Sequence, residues 1–259
     1  MAKSSTKRRN PTHSLAVTWG VVTDPGRVRS VNQDAYFTDP HRGLFIVSDG
    51  MGGEQAGALA SEVVVKVLPA IIQQRLAKLK GSSAPAIRAQ LRHGVSELSQ
   101  KLSAESAAQI ELRGMGATVV VALLGRRSVH LAHLGDSRAY VFRRRRLLQL
   151  TDDHSVVGIL LRQGEITPEQ AHSHPAQGRL SRFVGMEGEV LPDVKTVGLK
   201  KGDQLLLCSD GLTGMLSDKQ VASVISTNLQ CQETCQRLVE AANASGGRDN
   251  ITAVLLRWR

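Results

Sequence analysis

Four apolar runs in this chain start or stop at an aspartate with a glycine beside or near it, and this recurrence constrains the fold more than length does. The settings are Ile46-Val47-Ser48-Asp49-Gly50, His133-Leu134-Gly135-Asp136-Ser137, Leu206-Leu207-Cys208-Ser209-Asp210-Gly211 and Gly246-Gly247-Arg248-Asp249-Asn250, the last leading into Ile251 to Leu256. An isolated Asp-Gly pair is ordinarily a turn. A fold that gathers four carboxylates at strand ends is another matter, because buried unpaired carboxylates repel one another and are costly to desolvate. Divalent cations held by oxygen ligands relieve both costs, so the pattern points to a metal centre.

A chain of 259 residues can bury a core as one large or two small domains. No internal repeat or interdomain linker is visible, so we expect a polar basic tail over 1–13 and one domain over 14–259. The excess of 33 basic over 23 acidic residues, +10 overall, suits nucleic acid, anionic lipid or a phosphorylated substrate. Arg143 to Arg146, between two apolar stretches and without interleaved aromatics, reads as a solvated hairpin turn, so no specific nucleic-acid partner is expected. Cys208, Cys231 and Cys235 form neither a disulfide framework nor a zinc pattern. No run reaches about 18 continuous apolar residues, and Met1 to Asn10 lacks a signal-type hydrophobic stretch, which together predict no membrane span and a cytoplasmic location.

Strands are expected over 15–22, 44–47, 117–124, 128–134, 139–142, 193–197, 204–208 and 251–256. Helices are expected over 55–80, over 86–106 with Pro85 in its first turn, over 219–225 behind a Ser217-Asp218 cap, and over 233–244 ahead of Gly246-Gly247. Strands clustered at both ends with helical pairs between them do not alternate βαβα, which favours antiparallel sheets covered by helices. The polar segment 152–192 reads as a surface flap carrying substrate contacts.

Arg29 and Asp34 share one short element ahead of the strand leading to Asp49, and a guanidinium fork there suits an anionic ligand beside a metal. In Asp49-Gly50-Met51-Gly52-Gly53 the glycines free the backbone and leave a carbonyl open next to the acid, so a hard cation could use both oxygens. With Gly116-Ala117-Thr118, Gly135-Asp136-Ser137-Arg138, Asp153-His154-Ser155, Ser209-Asp210-Gly211 and Asp249-Asn250-Ile251-Thr252, these motifs follow one another from about Leu15 to Leu256. In this order they resemble the metal-dependent protein phosphatases, the PPM or type 2C serine/threonine family, in its compact bacterial form.

The resemblance implies an α+β fold: a four-layer α-β-β-α sandwich of two antiparallel sheets flanked by helices, with the metals at one end. It implies a protein serine/threonine phosphatase using two Mn²⁺ or Mg²⁺ ions and a weaker third. Asp49 would bridge the central pair, the Gly50 carbonyl, Asp210 and Asp249 would complete it, Asp34 would support a bound water, and Asp136 would hold the third ion. Arg29 would bind the substrate phosphate. Two ions about 3.5–4 Å apart can activate a shared water for a single in-line displacement at phosphorus, and oxygen-only ligands favour Mg²⁺ or Mn²⁺ over Zn²⁺. The implied partners are phosphorylated proteins and a serine/threonine kinase sharing those targets, with the phosphatase itself a monomer.

Two positions depart from the family pattern. Met51 stands where many members carry a histidine proposed as general acid, so a water on the ion near Asp136 is expected to supply the proton instead. Glu54 replaces a histidine frequent in bacterial relatives. His154 reads as a turn residue rather than a site residue, Thr118 and Ser137 as structural, and His172 and His174 as flap decoration. Two rival readings remain: a catalytically silent module that binds phosphoproteins, and a metal-dependent phosphodiesterase acting on nucleic acid.

Overall fold

Apolar strands that are buried on both faces need two partners, and this chain supplies a second sheet for one face and a helical layer for the other. The computed structural model describes residues 17–79, 81, 83–171 and 173–259. The expected tail over 1–13, the first residues of the strand expected from 15, Lys80 and His172 lie outside the described residues.

The chain runs β1 (Val17–Asp24), β2 (Asp34–Asp39), β3 (Leu44–Met51), α1 (Glu54–Ala77), α2 (Ala84–Ala108) and β4 (Gly116–Ala117). There follow β5 (Val119–Leu124), β6 (Ser128–Leu134), β7 (Arg138–Arg143), β8 (Arg146–Gln149), α3 (Val156–Gln163) and α4 (Pro168–Ala171). Last come β9 (Asp193–Gly198), β10 (Gln204–Cys208), α5 (Asp210–Thr213), α6 (Asp218–Ser226), α7 (Cys231–Ala244) and β11 (Ile251–Trp258). One sheet has the order β1-β11-β10-β7-β8 and the other β2-β3-β5-β6-β9, with β4 paired to the end of β3. Every strand pair is antiparallel.

Alternation along the strands sorts the side chains into three buried layers. Phe45, Val47, Val120 and Leu131 from one sheet meet Val141, Leu205, Leu207 and Val254 from the other between the sheets. Leu44, Ile46, Val119 and Val121 face outward against Leu68, Ile72, Leu91 and Leu98 of α1 and α2. On the opposite side Leu206, Cys208, Ala253 and Leu255 pack under Val221, Ile225, Leu238 and Val239 of α6 and α7. This is the α-β-β-α sandwich expected from the sequence. Because both faces are dry, the strands read as continuous apolar runs although the sheets are antiparallel.

Several boundaries differ from expectation for local reasons. The strand expected over 117–124 is broken at Thr118: Ala117 pairs with Gly50 and bridges Val184, while the Thr118 N–H donates to the Asp49 carbonyl at 2.8 Å. The strand β2 escaped sequence reading, because it is an edge strand whose residues are mostly half-buried. The helix α1 starts at Glu54 and stops at Ala77, short of Lys80, and α2 runs longer at both ends than expected, with Ser83 as its cap and Pro85 in its first turn. Ser217 and Gln220 form a reciprocal capping box on α6.

Arg144 and Arg145 make the expected hairpin turn with φ of 49° and 62°, but Arg143 is half-buried and held by the buried Asp203. Among the described residues the segment over 152–192 contains only α3 and α4; the Ser155–Leu180 bridge closes it on itself, and the Ala117–Val184 bridge joins it to the body. The helix α1 has the length and apolar content of a membrane span. It contains Glu62 and Lys66, and buries Val64, Leu68 and Ile72 against β3 and α2. The three cysteines are free and buried.

Leu207 is fully buried between the sheets, so Leu207→Ala should lower unfolding free energy by about 2–5 kcal/mol. The half-exposed Leu148→Ala should stay within about 0.5 kcal/mol. Urea unfolding followed by far-ultraviolet circular dichroism compares them, and equal losses would contradict the assigned layers.

Candidate metal centre

Strand register brings the predicted acids to one end of the sandwich. Asp49, near the end of β3, lies directly across from Asp34 at the start of β2. On the other sheet Cys208 is opposite both Arg138 and Ala253, so the turn before β7 with Asp136, the start of α5 with Asp210, and the turn before β11 with Asp249 lie side by side. Asp49, Asp136, Asp210, Asp249, Gly50 and Arg29 line one cavity of about 400 Å³. Asp34 lies behind them and does not line it.

The electrostatics of this cluster are adverse without cations. Burial, then repulsion from Asp34, Asp210, Asp136 and Asp249, holds the Asp49 carboxyl well above the usual carboxylate range. Burial, then the charges of Asp210 and Asp153, does the same to Asp136. Asp210 is raised mainly by burial and next by Asp249, and its carboxyl is within hydrogen-bonding reach of Asp49. Asp34 is pushed up to about 7, chiefly by burial, although Ser209 Oγ and Thr252 Oγ1 donate to its Oδ2 at 2.6 and 2.7 Å.

The unused oxygens test whether metals fit. Among the described residues Asp34 Oδ1 and Asp210 Oδ1 are buried without any hydrogen-bond partner. Buried acceptors of this kind are rare unless an ion or water completes them. A set of oxygen donors only, with orphaned lone pairs and shared negative charge, fits hard divalent cations.

Comparison with known proteins bears on the same residues, since the Protein phosphatase 2C family model matches residues 26–255. The chain belongs to the protein phosphatase 2C family. It is 38% identical over 237 residues to the serine/threonine phosphatase stp of Listeria welshimeri, covering 90% of this chain and 93% of that one. It is 36% identical over 241 residues to the protein phosphatase PhpP of Streptococcus pneumoniae, covering 91% and 95%. Among solved structures it superimposes on the catalytic domain of the serine/threonine protein phosphatase PstP in complex with two manganese ions. That match has a TM-score of 0.78 and 32% identity over 94% of this chain and 98% of that one.

Within this family member, Arg29 is engaged differently from the sequence expectation. Its Nη2 donates to Asp249 Oδ2 at 2.8 Å, so the predicted phosphate ligand is paired with a predicted metal ligand. The pair is part-exposed, at 49% and 37%, which leaves it weakly committed. The glycines also divide by role. Gly52 and Gly53 need their positive φ of 114° and 92°, whereas Gly50 is required by close approach, since a Cβ there would meet the Gly57 carbonyl of α1 at 1.9 Å.

Residues given no role in the sequence reading hold the acids in place. Asn250 accepts from the Gln33 N–H at 2.8 Å and donates to the Pro25 and Val31 carbonyls at 3.0 and 2.9 Å, clamping the loop that carries Arg29. Gln33 Nε2 donates to the Gly53 carbonyl at 2.8 Å, and the Gly50 N–H returns to the Gln33 carbonyl at 3.1 Å. Arg138 grips Asp153 through Nε and Nη2 and donates to Tyr140 Oη. Each of these residues lies within a few positions of a predicted acid, and that adjacency was the available signal.

His154 is buried and does not line the acidic cavity. It is 1% exposed and stacks on His133 at 4.5 Å, and with Asp193 the pair has metal-like spacing. The Gly135 N–H donates to His154 Nδ1 at 3.3 Å, so the ring proton sits on Nε2 and faces Asp193 Oδ2 at 3.1 Å. Burial, then His133, pushes His154 down to about 4, which keeps that neutral tautomer. A metal on Nε2 would have to displace the ring's one proton. Thr118 likewise is a strut, donating to or accepting from Ser137 at 2.6 Å, and His174 Nδ1 accepts from the Ala176 N–H.

For Asp34 the folded-state pKa lies above the unfolded value, so its contribution to stability is complete below about pH 4 and is lost as pH rises through about 7. Asp49, Asp136 and Asp210 act in the same direction. In EDTA the melting temperature should therefore fall between pH 5.5 and pH 8, and Mn²⁺ should raise it more at pH 8 than at pH 5.5. Differential scanning fluorimetry of wild type and Asp34→Asn checks this. A flat EDTA profile, or one unchanged by Asp34→Asn, would contradict the assigned burial of charge.

Proposed function

We propose that this chain hydrolyses phosphoserine and phosphothreonine in proteins at the acidic cavity. Asp49, the Gly50 carbonyl, Asp210 and Asp249 would hold two Mn²⁺ or Mg²⁺ ions there. As a protein phosphatase 2C family member it is a metal-dependent phosphoprotein phosphatase. The observation that carries the residue assignment is the buried acid cluster lining one cavity with Arg29, in which Asp210 Oδ1, and Asp34 Oδ1 behind it, have no partner. When bound, the two ions would supply a deprotonated water and charge neutralisation for in-line displacement at phosphorus.

The chain's own groups have separable parts in this reading. Arg29 rests on Asp249; with that carboxylate holding an ion, the Arg29 fork would be free to bind the substrate phosphate. Asp34, fixed by Ser209 and Thr252, keeps one oxygen directed toward the centre and positions what binds there. Met51, at the cavity edge, offers no proton. Asp136 lines the same cavity near Asp210, whose charge is the largest acting on it, so it would hold the weaker third ion, which would supply the proton for the leaving oxygen that Met51 cannot.

Residues 14–259 act as one phosphatase unit, with the 152–192 flap selecting substrates. Gly178 and Leu180 of that flap line the cavity. The setting is the cytoplasm, where a serine/threonine kinase marks the same targets and the phosphatase works as a monomer.

Phosphate release from a phosphothreonine peptide should require Mn²⁺, stop in EDTA, and fall to background in Asp49→Asn. Wild type inactive with Mn²⁺ would overturn the reading. Arg29→Ala should lower kcat/KM by about 10- to 100-fold through loss of a charged hydrogen-bonding partner. Asp136→Ala should lower kcat at saturating Mn²⁺, and an unchanged kcat would remove Asp136 from proton delivery.

A further inference from the structure

The sandwich has two ends, and charge divides between them. The register that gathers the acids at one end sends the turns 125–127, 143–146 and 199–203, with the chain end 257–259, to the other. Backbone bonds tie these turns together: the Leu199 N–H donates to the Arg127 carbonyl at 2.9 Å, and Gly202 N–H to Trp258 at 2.8 Å. They expose Arg126, Arg127, Arg144, Arg145, Lys200 and Lys201, bordered by Arg146 and Arg259.

Their charge is uncompensated. Among the described residues none of the six pairs with a carboxylate. The acid in these turns, Asp203, is occupied by Arg143 and the Lys200 N–H. The strand β1 also begins here, with Val17 opposite Trp258, and the sequence before it carries Lys3, Lys7, Arg8 and Arg9. Six exposed, unpaired cations are therefore gathered at the end away from the acidic cavity.

We propose that this basic end docks the protein on an anionic phospholipid surface. The face is a set of turn tips and not a groove: the cavity beside it measures about 10 Å³. The turns read Gly125-Arg126-Arg127, Arg144-Arg145 and Lys200-Lys201-Gly202, without aromatic or amide side chains, and the neighbouring Trp258 packs against the core between the sheets rather than standing free to stack on a base. Clustered cations at a flat face are attracted to acidic headgroups additively and are released by salt. Docked this way, the acidic cavity faces away from the lipid and stays open to substrate.

Co-sedimentation of the full chain with vesicles tests this. Binding is expected to phosphatidylglycerol–phosphatidylcholine vesicles at low salt, with release at high salt and none to pure phosphatidylcholine. The quadruple variant Arg144→Glu, Arg145→Glu, Lys200→Glu, Lys201→Glu should lose about 100-fold or more in partitioning. Its turnover of a soluble phosphopeptide should be unchanged. The milder Arg144→Asn, Arg145→Gly places residues suited to this turn's positive φ and should lose about 30-fold, which guards against a folding defect. No binding to the anionic vesicles, equal binding by the quadruple variant, or tighter binding to duplex DNA than to the vesicles would each overturn the proposal. None of these outcomes depends on phosphatase activity.

Discussion

Mutual repulsion among buried carboxylates is the constraint around which this molecule is organised. Asp34, Asp49, Asp136 and Asp210 are all held above their ordinary titration range by burial and by one another. Folding alone does not relieve that strain, because two of the oxygens have no donor. The site is thus incomplete as protein, and its chemistry follows from what completes it. Divalent cations bound there, as proposed, would stabilise the folded chain as well as complete the site.

Keeping like charges together requires a rigid frame, and the frame is the pair of sheets. Leu205 and Leu207 face Phe45 and Val47 between them, while helices seal both outer surfaces. At the acidic end, short-range contacts take over from packing. Asn250 clamps the Arg29 loop, Ser209 and Thr252 fix Asp34, and the Gly50–Gly57 contact leaves no room for a side chain. The same strand order puts the uncompensated cations at the far end, so one topology separates the two signs of charge.

The positions of the acids at strand ends, the glycines after Asp49 and the ordered motifs were all legible in the residues. The helices over 84–108, 218–226 and 231–244 announced themselves by Pro85, Ser217 and Gly246-Gly247. The edge strand β2 did not, because a strand with mostly half-buried residues carries little apolar signal. The break at Thr118 was invisible too, since what interrupts the strand is pairing with residues far away in sequence.

Sequence alone determined the chemical class of the site, because oxygen donors, a guanidinium and glycines at fixed positions are properties of residues. It also determined that Met51 offers no proton. Only tertiary structure decided that Asp34 stands behind the cavity rather than in it, and that Arg29 rests on Asp249. It likewise decided that His154 is barred from a metal by a backbone N–H nineteen residues earlier. The physical reason is common to all three. Burial, tautomer and pairing are set by neighbours that strand register delivers from distant parts of the chain, and no local pattern encodes those neighbours.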